Sequence, residues 1–413
     1  MTVLSLPRML LTLLATVLVT AVGVLLADSF AAGSVTSQAP PAASSCLPTA
    51  SWSLFEGRQA RPANSREVVD ALAGRDVILL GEQHDDADHH QWQLQVLAGL
   101  HARRPAMVIG FEMFPRRLQP VLDRWVAGEL SVKEFLARSE WEEVWNQPPE
   151  LYLPLFQFAR LNRIPMLALN IDRQLTRKVA AAGWSAVPVA EREGVGEPAP
   201  ASAAYRKFLR EIHDQHREMK GKAGKQHAAE AAFANFVDSQ LAWDRAMAEV
   251  LAARALSPAA DARPLVIGII GSGHLRFGYG VPHQLRDLGV DSIGVLLPTT
   301  AGSDCDELRP GVADAVFAIP AKPPSPDQPP RLGVTLETQA GAVAIVNVAK
   351  GSLAEQSGLQ SGDRVMEVAG RPLAGMSSLL LAIQQQPPGT WLPLQIERTG
   401  SRIEVLVKFP ATR

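Results

Sequence analysis

Four apolar runs in this chain stop on residues that can move protons or hold a metal ion. "DVILLG" (76–81) is followed by Glu82-Gln83-His84, and "AMVIGFE" (106–112) ends in Glu112. "PMLALNI" (165–171) delivers Asn170 and leads into Asp172, and "PLVIGIIG" (264–271) leads into Ser272-Gly273-His274. Carboxylates and imidazoles together serve as general acid and base around a substrate, or as ligands for a divalent ion. Gly271 and Gly273 let backbone N–H groups come close to a ligand, because glycine has no side chain in the way. Taken singly, a strand-end His is a hydrogen-bonded structural group, and Glu82 or Glu112 a cap for the next helix. Glu82, His84, Glu112 and His274 at the same ends of such runs point instead to one site.

The elements that must position these residues follow from the pattern. Near-continuous apolar runs of this length suit strands buried on both faces, and "SIGVLL" (292–297) adds a fifth. Between them lie helical stretches such as "DADHHQWQLQVLAGLHAR", "YLPLFQFARLNR" and "HAAEAAFANFVDSQLAWDRAMAEVLAARAL". Alternation of this kind predicts an α/β domain whose mainly parallel sheet is flanked by helices, with ligands bound at the carboxyl ends of its strands. His89 and His90 fall on the first helix and are expected in solvent. His213 and His216 lie three apart on a basic helix, a spacing that permits a metal pair but better fits a solvated helix or lid.

With 413 residues, 47% hydrophobic and 20% charged, the chain is long enough for more than one domain with a sizeable core. A net charge of −2 gives no electrostatic basis for nucleic-acid binding. Residues 1–32, with Arg8 ahead of an apolar stretch from Met9 to Leu26, read as a secretory signal. An uncleaved anchor is the alternative, since the stretch is near the roughly 18-residue minimum for a span. The expected location is the periplasm or the periplasmic side of a membrane. Cys46 stands too far past the apolar stretch for a lipid-attachment signal, which argues against lipidation. Cys46 and Cys305 can pair in an exported protein or remain thiols. Residues 33–48 are an Ala/Ser/Pro-rich tether, and the Pro-rich 320–331 separates a domain at 49–319 from one at 332–410.

Five segments, "LLGEQHDDADHHQWQLQVL", "IGFEMFPRRLQPVLDRW", "WEEVWNQPPELYLPLFQFARLNRIPMLALNIDR", "FVDSQLAWDRAMAEVL" and "IIGSGHLRFGYGVP", resemble in this order the ChaN-like haem-binding family over about residues 70–298. Its wider superfamily includes the Tiki and TraB proteins and the erythromycin esterases. The resemblance implies an envelope-located, iron-linked, haem-binding protein, and carries over Glu82, His84, Glu112, Gly271, Gly273 and His274. Tyrosine, histidine and methionine can ligate haem iron. Of the three tyrosines, Tyr279 beside the last motif is the first choice and Tyr152 the second, with His84 and His274 also able. Met113, Phe114, Trp141, Trp145 and Phe277 are candidate walls, and Arg116, Arg117 or Arg276 candidate partners for propionates. The opposing reading is a metal-assisted hydrolase in which His84 or His274 activates water and Glu82 or Glu112 assists, with the same four residues as metal ligands. With no G-x-S-x-G or H-E-x-x-H motif, such hydrolysis runs through water rather than a covalent serine. A third reading is an envelope adaptor with a vestigial site.

The C-terminal stretch, from "RLGVTLE" through "GSLAEQSGLQSGDRVMEVAGRPL" to "RIEVLVKF", resembles a bacterial PDZ domain, a small β-rich α+β fold. Such domains bind an extended peptide by strand addition and hold its terminal carboxylate on backbone N–H groups. The matching loop here is Arg331-Leu332-Gly333-Val334, where Arg331 replaces the usual small residue. The implied partner is a peptide or C-terminal segment of an envelope protein. A dimerisation or spacer role is the alternative, and a homodimer stays open.

Overall fold

A computed structural model describes residues 47–56, 59–145, 147–219, 226–257, 263–302, 308–321, 331–339 and 341–411. The expected signal, most of the 33–48 tether, both cysteines and residues 322–330 of the Pro-rich break lie outside the described residues. In chain order the elements begin β1 (Trp52–Glu56), β2 (Gln59–Ala63), α1 (Ser65–Leu72), β3 (Val77–Glu82), α2 (Ala87–Arg103), β4 (Met107–Pro115), α3 (Gln119–Ala127), α4 (Val132–Arg138), α5 (Trp141–Val144) and α6 (Leu153–Leu161). They continue β5 (Met166–Asn170), α7 (Arg173–Ala182), α8 (Ala203–Met219), α9 (Gln226–Ala255), β6 (Leu265–Gly271), α10 (Val281–Asp287), β7 (Ile293–Thr300) and β8 (Ala315–Ile319). The second domain holds β9 (Val334–Gln339), β10 (Ala342–Val348), α11 (Leu353–Gln356), β11 (Arg364–Val368), β12 (Arg371–Pro372), α12 (Met376–Gln384), β13 (Trp391–Arg398) and β14 (Ser401–Lys408).

The first sheet runs β2-β1-β8-β7-β3-β6-β4-β5. Strands β3 to β8 pair in parallel, while β1 and β2 pair antiparallel at one edge. Every residue of β3, β4, β5 and β6 is buried, and alternate residues feed two separate cores. Ile78, Leu80, Ile109, Phe111, Ile267 and Ile269 face Trp92, Leu97 and Phe156 on one side. Val77, Leu79, Val108, Val266 and Ile270 face Met247, Leu251 and Leu285 on the other. That is why these strands read as unbroken apolar runs. The mainly parallel α/β sheet with flanking helices is thus present, and all five expected strands form. Strands β8, β1 and β2 extend the sheet beyond β7, with β2 at the edge. Among the described residues no helix is long and apolar enough to cross a membrane.

The second sheet is antiparallel, β14-β13-β11-β10-β9, with β12 on β11. The expected hairpin around Gly400 is β13–β14, with Arg398 opposite Ser401. Thr399 (φ 49°) and Gly400 (φ 80°) make the turn, a left-handed pair that Gly tolerates best. Arg398 donates from Nε at 2.6 Å to the fully buried carboxylate of Asp363, which ties the hairpin to the turn before β11. The two domains touch where the Ser377 hydroxyl in the first turn of α12 donates to Glu142 of α5.

Candidate functional site

The ends of β3, β4 and β6 bring the predicted carboxylates and imidazoles together. Glu82 closes β3, and its carboxylate is fully enclosed. Oε1 accepts from His84 Nδ1 at 2.8 Å and from the Tyr152 hydroxyl at 2.8 Å. Oε2 accepts from Gln93 Nε2 at 3.1 Å and lies 3.3 Å from His90 Nδ1. Burial alone would raise the Glu82 pKa, but the hydrogen bonds and charge of His84 and His90 outweigh it and hold the group near about 2. For His84 and His90, burial favours the neutral ring, yet the Glu82 carboxylate wins and both pKa values rise.

A second assembly of the same kind stands at the end of β6. Asp244 of α9 is fully buried. It accepts from His274 Nδ1 at 2.6 Å and from the Tyr205 hydroxyl at 2.7 Å. Burial opposes the charge on His274, but Asp244, with Glu112 adding to it, lifts the pKa to about 9. Gly280 is required underneath, since a Cβ there would fall 2.8 Å from Asp244 Oδ1. Each histidine is therefore oriented through Nδ1 by a buried carboxylate that a tyrosine also holds, leaving Nε2 for other work.

Glu112 lies between the two assemblies. Its Oε2 accepts from the Gly271 N–H at 2.6 Å. Its Oε1 is buried without a hydrogen-bond partner, 3.7 Å from His274 Nε2. A Cβ on Gly271 would sit 2.9 Å from His84 Cε1 and 3.4 Å from Glu112 Oε2, so glycine is what lets the ring and the carboxylate meet over the strand end. Gly273 is exposed and has open space around it.

Beside this cluster a cavity of about 570 Å³ opens over the ends of β4 and β5. Trp145 and Trp243 line it, together with Met113, Ile171 and Leu175. The Trp145 ring meets His84 edge-on at 4.5 Å between centroids, and Trp243 meets His274 at 4.9 Å. The cavity wall is thus one ring away from each histidine. The His84 side chain is 37% exposed, against 11% for His274.

Several expectations change. His89 and His90 are buried rather than in solvent; His89 Nδ1 accepts from the Gln83 N–H at 2.9 Å, and His90 supports Glu82. Tyr152 is fully buried, and its hydroxyl donates to Glu82. Tyr279 does not line the cavity; its ring packs against Tyr205, Phe208 and Phe277 at 5.7, 6.1 and 5.3 Å. Arg116 is bound to Glu249 at 3.0 Å, and Arg117 lies between Glu140 and Asp172. Arg276 is half-buried beside Phe277, away from the cavity lining. Of the expected walls, Met113 and Trp145 line the cavity, whereas Phe114 and Trp141 belong to the core. Among the described residues no group of three or more His, Cys, Asp or Glu is arranged to hold a metal ion. Both Nδ1 atoms of the predicted set, and three of its four carboxylate oxygens, are already hydrogen-bonded within the protein. His213 packs on Phe233 and Phe236, and the side chain of His216 lies outside the described ones.

Asp244, Tyr205, His90, Gln93 and Trp243 escaped the sequence reading. So did Arg173, a cavity-lining guanidinium with no ion pair among the described residues, its pKa lowered by burial and by Arg177. In the second domain, Gly333 has φ 79°, and the carbonyls of Leu332 and Gly333 accept from Ala354 and Ala349 at 2.9 and 2.8 Å. Strand β9 is an edge of its sheet, with α12 packed beside it.

These features define an α/β protein with a buried carboxylate–imidazole cluster at the strand ends, followed by a PDZ domain. The family described as haem-binding uptake, Tiki superfamily, ChaN matches residues 68–285, and a PDZ domain family matches 330–409. The first match spans more than half of the chain, and the chain belongs to that ChaN-like haem-binding family. Among solved structures, ChaN of Campylobacter jejuni, described with cofacially bound haem, is 18% identical with a TM-score of 0.49, over 65% of this chain and 96% of that one. A serine endoprotease from Yersinia pestis (24% identity, TM-score 0.18) aligns over 19% of this chain and 28% of its own. A PDZ domain protein from Parabacteroides distasonis (28%, TM-score 0.17) aligns over 19% of each chain. No curated protein matches.

Proposed function

We propose that this is an exported haem-binding protein whose PDZ domain recruits an extended peptide or C-terminal segment of an envelope partner. The observation that carries the haem reading is the cavity at the strand ends, with Trp145 and Trp243 as flat walls and an oriented imidazole directly behind each. Its volume of about 570 Å³ lies in the range of small-molecule and cofactor sites. Haem would bring an iron that takes an imidazole nitrogen and two anionic propionates that take cations. His84, one Trp145 ring behind the cavity wall, is the residue that would suit the iron once that ring turns aside: its Nδ1–H is held by Glu82, its Nε2 is free of that bond, and its side chain is partly open. A carboxylate behind a metal-bound histidine is the usual means of fixing the ring and raising its basicity. Arg173, a cavity cation without an ion pair among the described residues, suits a propionate better than Arg116 or Arg117, which carboxylates already occupy.

Haemin titrated into the purified mature protein is expected to give a Soret band distinct from that of free haemin. His84→Ala should shift the band and weaken binding, whereas Tyr279→Phe should change neither. A spectrum equal to that of free haemin removes the reading. A response confined to Tyr279→Phe moves the ligand to the aromatic group around Phe208 and Phe277. The export signal is tested by N-terminal sequencing of the protein from periplasmic extract.

One observation favours hydrolysis as a second reading. The buried, unpartnered Oε1 of Glu112 faces His274, a placement suited to a water held for attack. Ester turnover lost in Glu112→Gln, with the circular dichroism unchanged, would support it.

A further inference from the structure

One short element touches both domains' ligand regions. Helix α5 is a single turn, and Glu140 before it is held in the left-handed region at φ 51° while its carboxylate binds Arg117 in bidentate fashion. Each following residue faces something different. Trp141 is buried in the core, where its ring meets Tyr152 at 5.6 Å. Glu142 accepts from the Ser377 hydroxyl of the PDZ helix. It also crowds Gly375 at the start of that helix, where a Cβ would come 2.6 Å from Glu142 Oε2. Glu143 lines the strand-end cavity and also a second cavity of about 860 Å³ between the domains. Val144 and Trp145 line the first cavity, and Trp145 rests on His84. On the PDZ side, α12 is the helix that packs beside the open edge of β9, where an added peptide strand would pair.

These side chains share one turn of backbone, so a shift of that turn moves them together. We propose that α5 couples the two ligand sites: haem seated against Trp145 restrains α5, and the Glu142–Ser377 contact passes that restraint to α12 and so to the peptide groove. The inference rests on the haem reading above. Coupling between sites is reciprocal, so a groove-bound peptide would change haemin affinity by the same factor.

Hydrogen exchange on the full chain, with and without saturating haemin, reads this directly. Haemin is expected to slow amide exchange in residues 376–384 by about fivefold or more, the low end of ordinary allosteric couplings. Ser377→Ala and Glu142→Ala should each abolish that slowing while residues 141–145 remain protected. One change lies in each domain, so a local folding defect would appear in only one of them. If haemin saturates by its Soret band and protects 141–145, but exchange in 376–384 is unaltered or equally slowed in both variants, the coupling is wrong and the haem reading stands. If no Soret shift occurs, the haem reading falls and takes the coupling with it.

Discussion

Replacing Asp244 by Asn separates the charge of the His274–Asp244 pair from its shape. The amide oxygen can still accept from His274 in place of Oδ1, and the NH2 that replaces Oδ2 can donate to the Tyr205 hydroxyl, which then accepts, so the loss is mainly the negative charge. In the wild type the pair lifts His274 from 6.5 to about 9 despite burial, with Glu112 adding a smaller push. At about 1.4 kcal/mol per pKa unit, the lift corresponds to about 3 kcal/mol of folding stability. Because the folded pKa is the higher one, that stability is fully present below pH 6.5 and is lost as pH rises through 9. In Asp244→Asn, burial still disfavours the charged ring and only Glu112 opposes it, so His274 should titrate well below its wild-type value. The variant should be about 3 kcal/mol less stable than wild type at pH 6, with most of that deficit gone by pH 10. Urea melts across that range give the energies, and NMR titration of the His274 ring gives the pKa. A His274 that still titrates near 9 in the variant, or a deficit of equal size at pH 6 and pH 10, would refute the pairing.

Three further outcomes follow from the same geometry. Glu82, held near about 2 from a normal 4.5, contributes stability above pH 4.5 that disappears as pH falls through 2. Glu82→Gln should therefore cost about 3 kcal/mol at pH 6 and flatten the acid limb of the stability curve, as acid titration followed by circular dichroism would show. Gly271→Ala places a methyl 2.9 Å from His84 Cε1 and should displace that ring, changing Trp145 fluorescence and weakening haemin binding with helix content intact. Trp125 is fully buried, stacked 4.4 Å from Arg160 and bonded to the Phe156 carbonyl. Trp125→Ala should cost about 3–5 kcal/mol by urea melt, the range for emptying a large aromatic site.

The parallel strands were legible because burial on both faces demands apolar side chains at every position, and that demand is local. Their carboxyl ends were legible for the same reason: Glu82, Glu112 and His274 interrupt runs that otherwise admit no charge. What escaped notice was whatever depended on a partner distant in sequence. Asp244 lies thirty residues before His274 on a long helix, and its only cue was an acid inside the apolar stretch "QLAWDRAM". His90 sits in the first turn of α2, where a polar residue usually meets solvent. Only the return of α2 across β3 turns it toward Glu82. Tyr152 and Tyr205 present free hydroxyls in the sequence, yet both are occupied by buried carboxylates that no spacing in the sequence reveals. Strand β1 ("WSLFE") carries Ser53 and Glu56 and so shows no apolar run, while β8 ("AVFAI") is a short apolar run lying directly against the Pro-rich break.

The pairing of β1 with β8 has a mechanical consequence. The first and last strands of the α/β domain are neighbours, with Trp52 opposite Phe317 and Leu54 opposite Ala315. A pull applied upstream of Trp52 and at the PDZ domain would load this pair from one end and unzip it bond by bond. The tension would be relieved in a few peripheral residues before reaching β3, β4 or β6, so the histidine cluster lies off the line of force between whatever holds the chain's front and whatever its PDZ domain grips.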